Sequence, residues 1–127
     1  MNIYGIGTDI VSVKRIKKSL KKKIFLKRIF CEQEIIKCKK LNTPFNCYAK
    51  RFAAKEAFAK ALGTGISNGI NFNEIVILNK KSGKPYISLK GKTKKIIKDK
   101  LKNKKTKISL SLSDEKDYAV AFVTISQ

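Results

Sequence analysis

The sequence contains no histidine and no tryptophan, and its acidic residues are few. Nine Asp and Glu stand against thirty Lys and Arg. Without histidine, a Ser-His-Asp triad, most catalytic zinc sites and imidazole acid–base chemistry are excluded. Any catalysis must therefore use carboxylates, lysines, hydroxyls, thiols or a hard metal ion. Because acidic residues are scarce, the position of each one is informative.

Long apolar runs and cysteine motifs are also missing. No apolar run approaches the roughly 18 residues of a membrane span, and no charged leader precedes an apolar stretch, so we expect no signal peptide. Cys31, Cys38 and Cys47 are odd in number and lack C-x-x-C spacing, which predicts free thiols in a reducing cytoplasm. The length of 127 residues and the 43% hydrophobic content predict one domain, residues 1–127.

The charge is strongly positive, with a formal net charge of +21 at pH 7. Such a field attracts phosphates, acidic proteins or nucleic acid. Only three of the thirty basic residues are Arg, so part of the charge is explained by compositional drift toward Lys. A small basic nucleic-acid-binding domain is one interpretation. The missing tryptophans, the few arginines and the lack of a recognisable DNA or RNA motif argue against it.

Apolar periodicity predicts an α+β fold, with a helical first half packed on a small, mostly antiparallel sheet formed by the second half. Residues 2–8 are predicted to form a short strand ending in a Gly-x-Gly bend, and Ser12 is predicted to cap a helix from Val13 to Ile29. Further helices are predicted at 32–40, 44–62 and 91–103, and the helix at 44–62 is predicted to end at Gly63. Strands are predicted at 74–79, 85–89, 108–113 and 118–125, with turns at Ser82-Gly83 and 114–117.

The segment from Arg51 to Lys60 is the most informative helix. At about 100° per residue, Phe52, Glu56 and Lys60 fall on one stripe. A carboxylate on such a face must be solvated, paired or bound to a cation. Taken alone, an exposed ion pair between Glu56 and Lys60, worth about 0.3–0.5 kcal/mol, explains the spacing. Asp9 is equally explained as a turn or cap residue.

The order of these blocks changes the interpretation. Ile6-Gly7-Thr8-Asp9, followed forty-two residues later by Phe52-x-x-Lys55-Glu56-Ala57-x-x-Lys60, resembles the signature of the 4′-phosphopantetheinyl transferases, in their short, single-domain branch. The resemblance extends over nearly the whole chain and includes blocks at 4–10, 14–16, 51–65, 83–85, 110–114 and 118–121. Two departures stand out. Thr8 replaces a usual aliphatic residue, and Asp114 stands where many relatives have His, so we assign Asp114 no phosphate contact.

The resemblance implies a reaction and its participants. The family transfers the phosphopantetheine arm of coenzyme A to a serine of apo-acyl carrier protein, a step that serves fatty acid biosynthesis, and it requires Mg²⁺. It implies that Asp9 and Glu56 are the metal ligands and that Lys60 reaches the diphosphate, which makes these three the catalytic residues. The proton of the serine passes to Glu56 or to a metal-bound water. Coenzyme A is expected to contact Arg51, Lys55, Lys60, Gly83, Lys84 and Pro85.

The resemblance also implies protein partners. The family docks its acidic carrier protein on the first helix, where Arg15 stands at the matching position and Lys14, Lys18 and Lys22 are expected to help. It further implies a homotrimer with active sites between neighbouring subunits, in the cytoplasm and without a membrane span. Nucleic-acid binding is the alternative, and a third possibility is a trimeric scaffold that binds coenzyme A or the carrier without turnover.

Overall fold

The computed structural model describes residues 1–63, 69–102 and 104–127 of the chain. It confirms the predicted α+β class. In chain order the elements are β1 (Ile3–Ser12), α1 (Val13–Ser19), α2 (Lys23–Ile29), α3 (Glu32–Lys39), α4 (Pro44–Leu62), a 3₁₀ turn (Phe72–Glu74), β2 (Ile75–Asn79), β3 (Pro85–Leu89), α5 (Gly91–Lys100), β4 (Lys107–Asp114) and β5 (Tyr118–Ser126).

The described strands form two antiparallel sheets. The larger has the order β1-β5-β4, and the smaller is the β2-β3 hairpin. Both predicted hairpins, β2-β3 and β4-β5, are confirmed. The sequence analysis assigned the sheet to the second half of the chain, whereas β1 pairs with β5 along nearly its whole length. This pairing of the two ends of the chain leaves no local sequence signal.

The predicted Gly-x-Gly bend is wrong, because β1 continues through both glycines to Ser12, with one register irregularity between Ile3 and Gly5. A Cβ on Gly5 would lie 1.9 Å from the carbonyl oxygen of Ala61, and a Cβ on Gly7 would lie 1.9 Å from that of Ala57. The glycines therefore let the strand backbone approach the helix backbone directly. Asp9 follows Gly7 by two residues and so shares its face of the strand.

The predicted single helix from Val13 to Ile29 is also wrong. Ser12 caps α1 as expected, since its side chain accepts a hydrogen bond from the Arg15 amide at 3.3 Å. The helix ends at Ser19, and α2 begins only at Lys23. The break reorients the chain. Ile24 is 68% exposed, while the residues that pack against the core from α2 are Phe25, Leu26 and Ile29.

Helix α4 is the central element and packs across β1 and β5. Its predicted limits are confirmed: Pro44 is in its first turn, and Gly63 ends it with a left-handed φ of 79°. Most of its side chains are buried around the whole helix, as expected for an element enclosed on several sides. Residues 64–68, which include Gly65 at the end of the matched block 51–65, lie outside the described residues, as does Asn103 at the end of the predicted helix 91–103.

The cysteines differ from their prediction. Cys38 of α3 and Cys47 of α4 form a disulfide, with their Cα atoms 5.4 Å apart, so the prediction of free thiols is wrong for these two. Cys31 is free. The pairing follows from the packing of α3 against α4, which places the two residues within bridging distance.

Among the described residues, no helix combines the length and apolar character that a membrane crossing needs.

Candidate active site

Asp9 and Lys60 meet where β1 crosses α4. The Lys60 ammonium lies 3.2 Å from Oδ1 of Asp9 and donates a hydrogen bond to the Thr8 carbonyl at 2.9 Å. The Asp9 side chain is largely buried, whereas that of Lys60 is mostly exposed. This contact joins residues fifty-one positions apart in the chain. It depends on the close approach of the strand to the helix that Gly5 and Gly7 permit.

Glu56 precedes Lys60 by one helical turn and belongs to the same cluster. Partial burial raises the pKa of Glu56 above its ordinary value, the nearby charge of Asp9 raises it further, and Lys60 acts in the opposite direction. Two carboxylates that repel each other beside a single ammonium form an anionic site that a further cation would stabilise. The structure thus brings together Asp9, Glu56 and Lys60, the three residues that the sequence analysis predicted to be catalytic.

A cavity of about 430 Å³ opens beside Glu56. Phe52 lines this cavity, and its ring centroid lies 6.1 Å from that of Phe25 and 6.3 Å from that of Phe72. Ile29, at the end of α2, lines the same cavity. No role for these cavity walls follows from the sequence alone. The only signal for them was the place of Phe52 on the stripe of Glu56.

A second cavity, of about 440 Å³, contains Arg51, Gly83 and Pro85. Arg51 is only 5% exposed. Its guanidinium donates to Cys47 Sγ and to Asn79 Oδ1, both at 3.1 Å. Its buried Nε has no hydrogen-bond partner among the described residues. We refer to this space as the Arg51 cavity.

The lining of the Arg51 cavity is cationic. Besides Arg51, lysines line it. Burial lowers the pKa of Arg51, while the charge of Glu34 raises it. An arginine remains protonated in proteins even so. Lys84, the remaining predicted contact in this turn, is exposed next to Gly83 and Pro85. Asn79 was missed by the sequence analysis because an Asn at the end of a strand carries no distinctive signal. Its side chain links Arg51 to the Gly83 carbonyl.

The structure argues against the predicted contact between Lys55 and coenzyme A. The Lys55 side chain has no exposed surface. Its ammonium donates to Glu34 Oε1 at 2.6 Å, to the Ile29 carbonyl at 2.7 Å and to the Phe72 carbonyl at 2.9 Å. An ammonium has three hydrogens to donate, and all three are used inside the protein. Lys55 therefore has no donor left for a phosphate.

Arg51 and Glu56 point away from each other on α4. Five residues of an α-helix rotate the side-chain direction by about 500°, which leaves the two side chains roughly 140° apart. The cavity beside Glu56 and the Arg51 cavity share no lining residue. Within one chain, the predicted contacts for coenzyme A are therefore divided between two sides of the central helix.

The residues predicted to bind the carrier protein are all exposed. Lys14, Arg15 and Lys18 lie on α1 within about 100° of one another, so they present one cationic face. Lys22 lies beyond the end of α1, at the residue before α2. It therefore does not belong to the same helical face. Asp114, which was assigned no phosphate contact, accepts from Asn46 Nδ2 at 2.9 Å and pairs with Lys50 at 3.3 Å.

Comparison with known proteins identifies the family of this chain. Residues 5–123 match the model of the 4′-phosphopantetheinyl transferase superfamily, and the chain belongs to that superfamily. It is similar to the holo-[acyl-carrier-protein] synthase of Pelagibacter ubique, with 48% identity over 127 residues that cover 100% of this chain and 99% of the relative. The chain is accordingly an enzyme of the transferase class.

Solved structures agree in fold. The crystal structure of holo-[acyl-carrier-protein] synthase from Neisseria meningitidis has a TM-score of 0.86 and 42% identity, covering 98% of this chain and 99% of that one. The Bacillus anthracis holo-(acyl-carrier-protein) synthase, a complex with CoA (3′,5′-ADP), has a TM-score of 0.80 and 35% identity, with coverage of 98% and 97%.

Proposed function

We propose that this chain transfers the 4′-phosphopantetheine group of coenzyme A to a serine of apo-acyl carrier protein and releases adenosine 3′,5′-bisphosphate. The observation that carries the proposal is the meeting of Asp9, Glu56 and Lys60 at one point of the fold of a phosphopantetheinyl transferase. Phosphoryl transfer needs positioning and charge neutralisation more than covalent help from the protein. Two carboxylates and one ammonium are suited to that demand.

Asp9 and Glu56 are the proposed ligands of Mg²⁺. The described residues contain no group of three or more His, Cys, Asp or Glu side chains that could hold a metal by themselves. Two carboxylates nevertheless fit this ion, which is commonly bound by one or two carboxylates together with substrate phosphates and water. Burial and then the charge of Asp9 raise the pKa of Glu56, so the ionised pair is destabilised and a bound cation would relieve it. When bound, Mg²⁺ neutralises charge on the diphosphate.

The other roles fall to the side chains around this pair. Lys60 is exposed and flexible enough to leave Asp9 for the diphosphate, where it would offset the charge of the departing bisphosphate. The proton of the attacking serine passes either to Glu56 or to water, and both routes remain part of the proposal. Arg51, with Gly83, Lys84 and Pro85, is proposed to bind the phosphates and the nucleotide end of coenzyme A in the Arg51 cavity.

A homotrimer with active sites between neighbouring subunits is the proposed assembly. The outer face of the β1-β5-β4 sheet supports it, because Ile6, Ile10 and Phe122 are 60%, 66% and 46% exposed there. Apolar residues clustered on one face indicate a surface that associates. Copies of this chain are the proposed occupants, since a neighbour would supply the Arg51 cavity that faces away from Glu56 in a single chain. Sedimentation equilibrium of the protein should give three times the monomer mass.

Docking of the acidic carrier protein is proposed at the face formed by Lys14, Arg15 and Lys18, with Lys22 at its edge. Surface charges of this kind mainly raise the association rate and are screened by salt. A single domain, 1–127, and a cytoplasmic location complete the proposal. The predicted free thiols no longer support a cytoplasmic location, because Cys38 and Cys47 form a disulfide. The proposed location therefore rests on the family resemblance alone.

One assay tests the proposed function. Purified protein is incubated with coenzyme A, Mg²⁺ and apo-acyl carrier protein, and the mass of the carrier is measured. We expect the carrier to gain one phosphopantetheine, and Asp9→Asn to abolish the gain without unfolding the protein. An exposed substitution on α5, Lys95→Met, is the control. No gain in mass, together with tight binding of DNA or RNA at physiological salt, would replace the proposal with the nucleic-acid alternative. Binding of coenzyme A and carrier without turnover would favour the scaffold.

A further inference from the structure

We propose that Glu34 is a positioning residue of the transferase site and acts through Lys55, which it holds in place between two walls of the cavity beside Glu56. The inference rests on the proposed function, because it assigns an effect on transfer at Glu56. Glu34 itself contacts neither the acidic pair nor the Arg51 cavity through any described hydrogen bond.

The pair of Glu34 and Lys55 is fully enclosed. Neither side chain has exposed surface, and the ammonium lies 2.6 Å from Oε1 of Glu34. The same oxygen accepts from the Cys31 amide at 3.1 Å, and Oε2 accepts from the Ile77 amide at 3.0 Å. Glu34 thus satisfies donors from the N-terminus of α3, from β2 and from α4. Buried charges of this kind persist only when they are paired and hydrogen-bonded.

Lys55 extends this network to the cavity. Its remaining two hydrogens go to the carbonyls of Ile29 and Phe72, and both of these residues line the cavity that contains Glu56. The lysine therefore forms hydrogen bonds to the backbone of two walls of this cavity, one at Ile29 and one at Phe72. It also precedes Glu56 on α4, so its anchorage helps to fix the rotation of the helix at that carboxylate.

The two walls have other anchors besides Lys55. Phe72 is buried, and Asn73 Nδ2 donates to the Lys27 carbonyl at 3.2 Å, which joins the turn to α2. Lys55 differs from these anchors because its hydrogen bonds are the described ones that tie the backbone of both walls to α4, the helix that carries Glu56. Without the carboxylate of Glu34, burial would favour the neutral amine of Lys55, since burial lowers its pKa and Glu34 raises it.

A purely structural ion pair would make the same contacts, so the experiment must separate stability from positioning. Removing one partner of a buried pair is strongly destabilising, whereas replacing both by apolar residues of similar volume is often neutral or stabilising. The double variant Glu34→Leu with Lys55→Met removes the tie while filling its space. Its melting temperature, kcat and the KM for coenzyme A and for the carrier are compared with those of the unmodified protein.

We expect the double variant to remain folded with a melting temperature near that of the unmodified protein, and kcat to fall roughly 10- to 100-fold, the effect of a small misplacement at a reacting centre. The KM for coenzyme A should change less than kcat does, because neither Glu34 nor Lys55 lines the Arg51 cavity and only the charge of Glu34 acts on Arg51. Ile97→Ala, in the buried face of α5, is the control for lost stability. It should lower the melting temperature and leave kcat unchanged.

A double variant that is stable and keeps its kcat would overturn the inference and leave Glu34 with a structural role only. If Glu34→Leu with Lys55→Met does not fold, the same comparison uses Glu34→Gln with Lys55→Met, and unchanged kcat in that variant overturns the inference equally. Failure of the proposed function is distinguishable, because the unmodified protein would then transfer no phosphopantetheine.

Discussion

Lys60 pairs with Asp9 across the junction of β1 and α4, with its ammonium 3.2 Å from the carboxylate oxygen and bonded to the Thr8 carbonyl. The lysine therefore neutralises one of the two carboxylates proposed to hold Mg²⁺. A diphosphate that draws Lys60 away would expose Asp9 to the metal, so the binding of coenzyme A and of the cation should be coupled.

Lys60→Met should change metal affinity and turnover in opposite directions. Without coenzyme A, the affinity for Mn²⁺, used as a probe in calorimetry, should rise about two- to fivefold, because an exposed ion pair is worth at most about 1 kcal/mol. Turnover should fall by roughly 10²-fold, because the diphosphate loses a charged partner in the transition state. Lys95→Met, exposed on α5, should change neither quantity. Equal metal affinity in both variants would refute the coupling.

The position of Asp9 close to Glu56 and Lys60 of α4 could be predicted from the sequence. Glu56 and Lys60 share a stripe through helix geometry alone, and the order of the two blocks suggested that Asp9 joins them. Lys55 could not be interpreted in this way. It stands beside Glu56 in the sequence and looks like another free cation. Only the three-dimensional packing shows that it is enclosed with Glu34.

The sheet illustrates the same limit. The alternation of β4 and β5 predicted a hairpin correctly, because neighbouring strands joined by a turn carry a local signal. The pairing of β1 with β5 joins the two ends of the chain, and no local pattern encodes it. The disulfide between Cys38 and Cys47 depends likewise on how α3 packs against α4, which nine residues of separation do not reveal.

Glu56→Gln should stabilise the protein at neutral pH while it abolishes transfer. Burial and the charge of Asp9 raise the pKa of Glu56 in the folded state, so folding favours its protonated form. The contribution of Glu56 to the free energy of unfolding is therefore fully present below the unfolded pKa of about 4.3, and it is lost as pH rises through the higher folded pKa. The neutral amide of Gln does not titrate, so the variant does not lose this stability at high pH.

Thermal unfolding without added metal at pH 8 and at pH 4 tests this sign. The variant should melt at a higher temperature than the unmodified protein at pH 8, and the difference should shrink at pH 4. A variant that is less stable at pH 8 would show that Glu56 is stabilised by its surroundings as an anion. Glu32→Gln, exposed at the start of α3, provides a carboxylate control outside the site.

Gly7→Ala should separate β1 from α4. The new Cβ would meet backbone atoms of Ala57 and Ala61, which cannot rotate away, so we expect a loss of about 3 kcal/mol in the free energy of unfolding and a large loss of activity as Asp9 is displaced. Urea unfolding at one fixed protein concentration measures the first effect. In Gly63→Ala, where a Cβ meets nothing within 4 Å but φ is 79°, the cost should be only about 1–2 kcal/mol.

Arg15→Glu tests the docking face on α1. Reversing one charge should raise the KM for the acidic carrier protein about tenfold at low salt, and the effect should diminish as salt is added. The KM for coenzyme A should not change, because Arg15 lies outside both cavities described above. The matched reversal Lys95→Glu on α5 should leave both constants unaltered. An equal rise in both constants for Arg15→Glu would count against docking at this face.

The opposite orientations of Arg51 and Glu56 on one helix allow a complementation test of a shared active site. Asp9→Asn damages the metal side and Arg51→Ala damages the Arg51 cavity, so each variant alone should be inactive. Suppose that each active site combines Asp9 of one subunit with Arg51 of its neighbour. In a mixed trimer, a site is then intact where Asp9 comes from an Arg51→Ala chain and Arg51 comes from an Asp9→Asn chain.

Random mixing makes about one site in four intact, so the co-expressed pair should recover about a quarter of the unmodified activity. A mixed trimer that remains as inactive as its parents would place the whole site within a single chain. Coenzyme A would then have to reach around α4 to contact both of its sides.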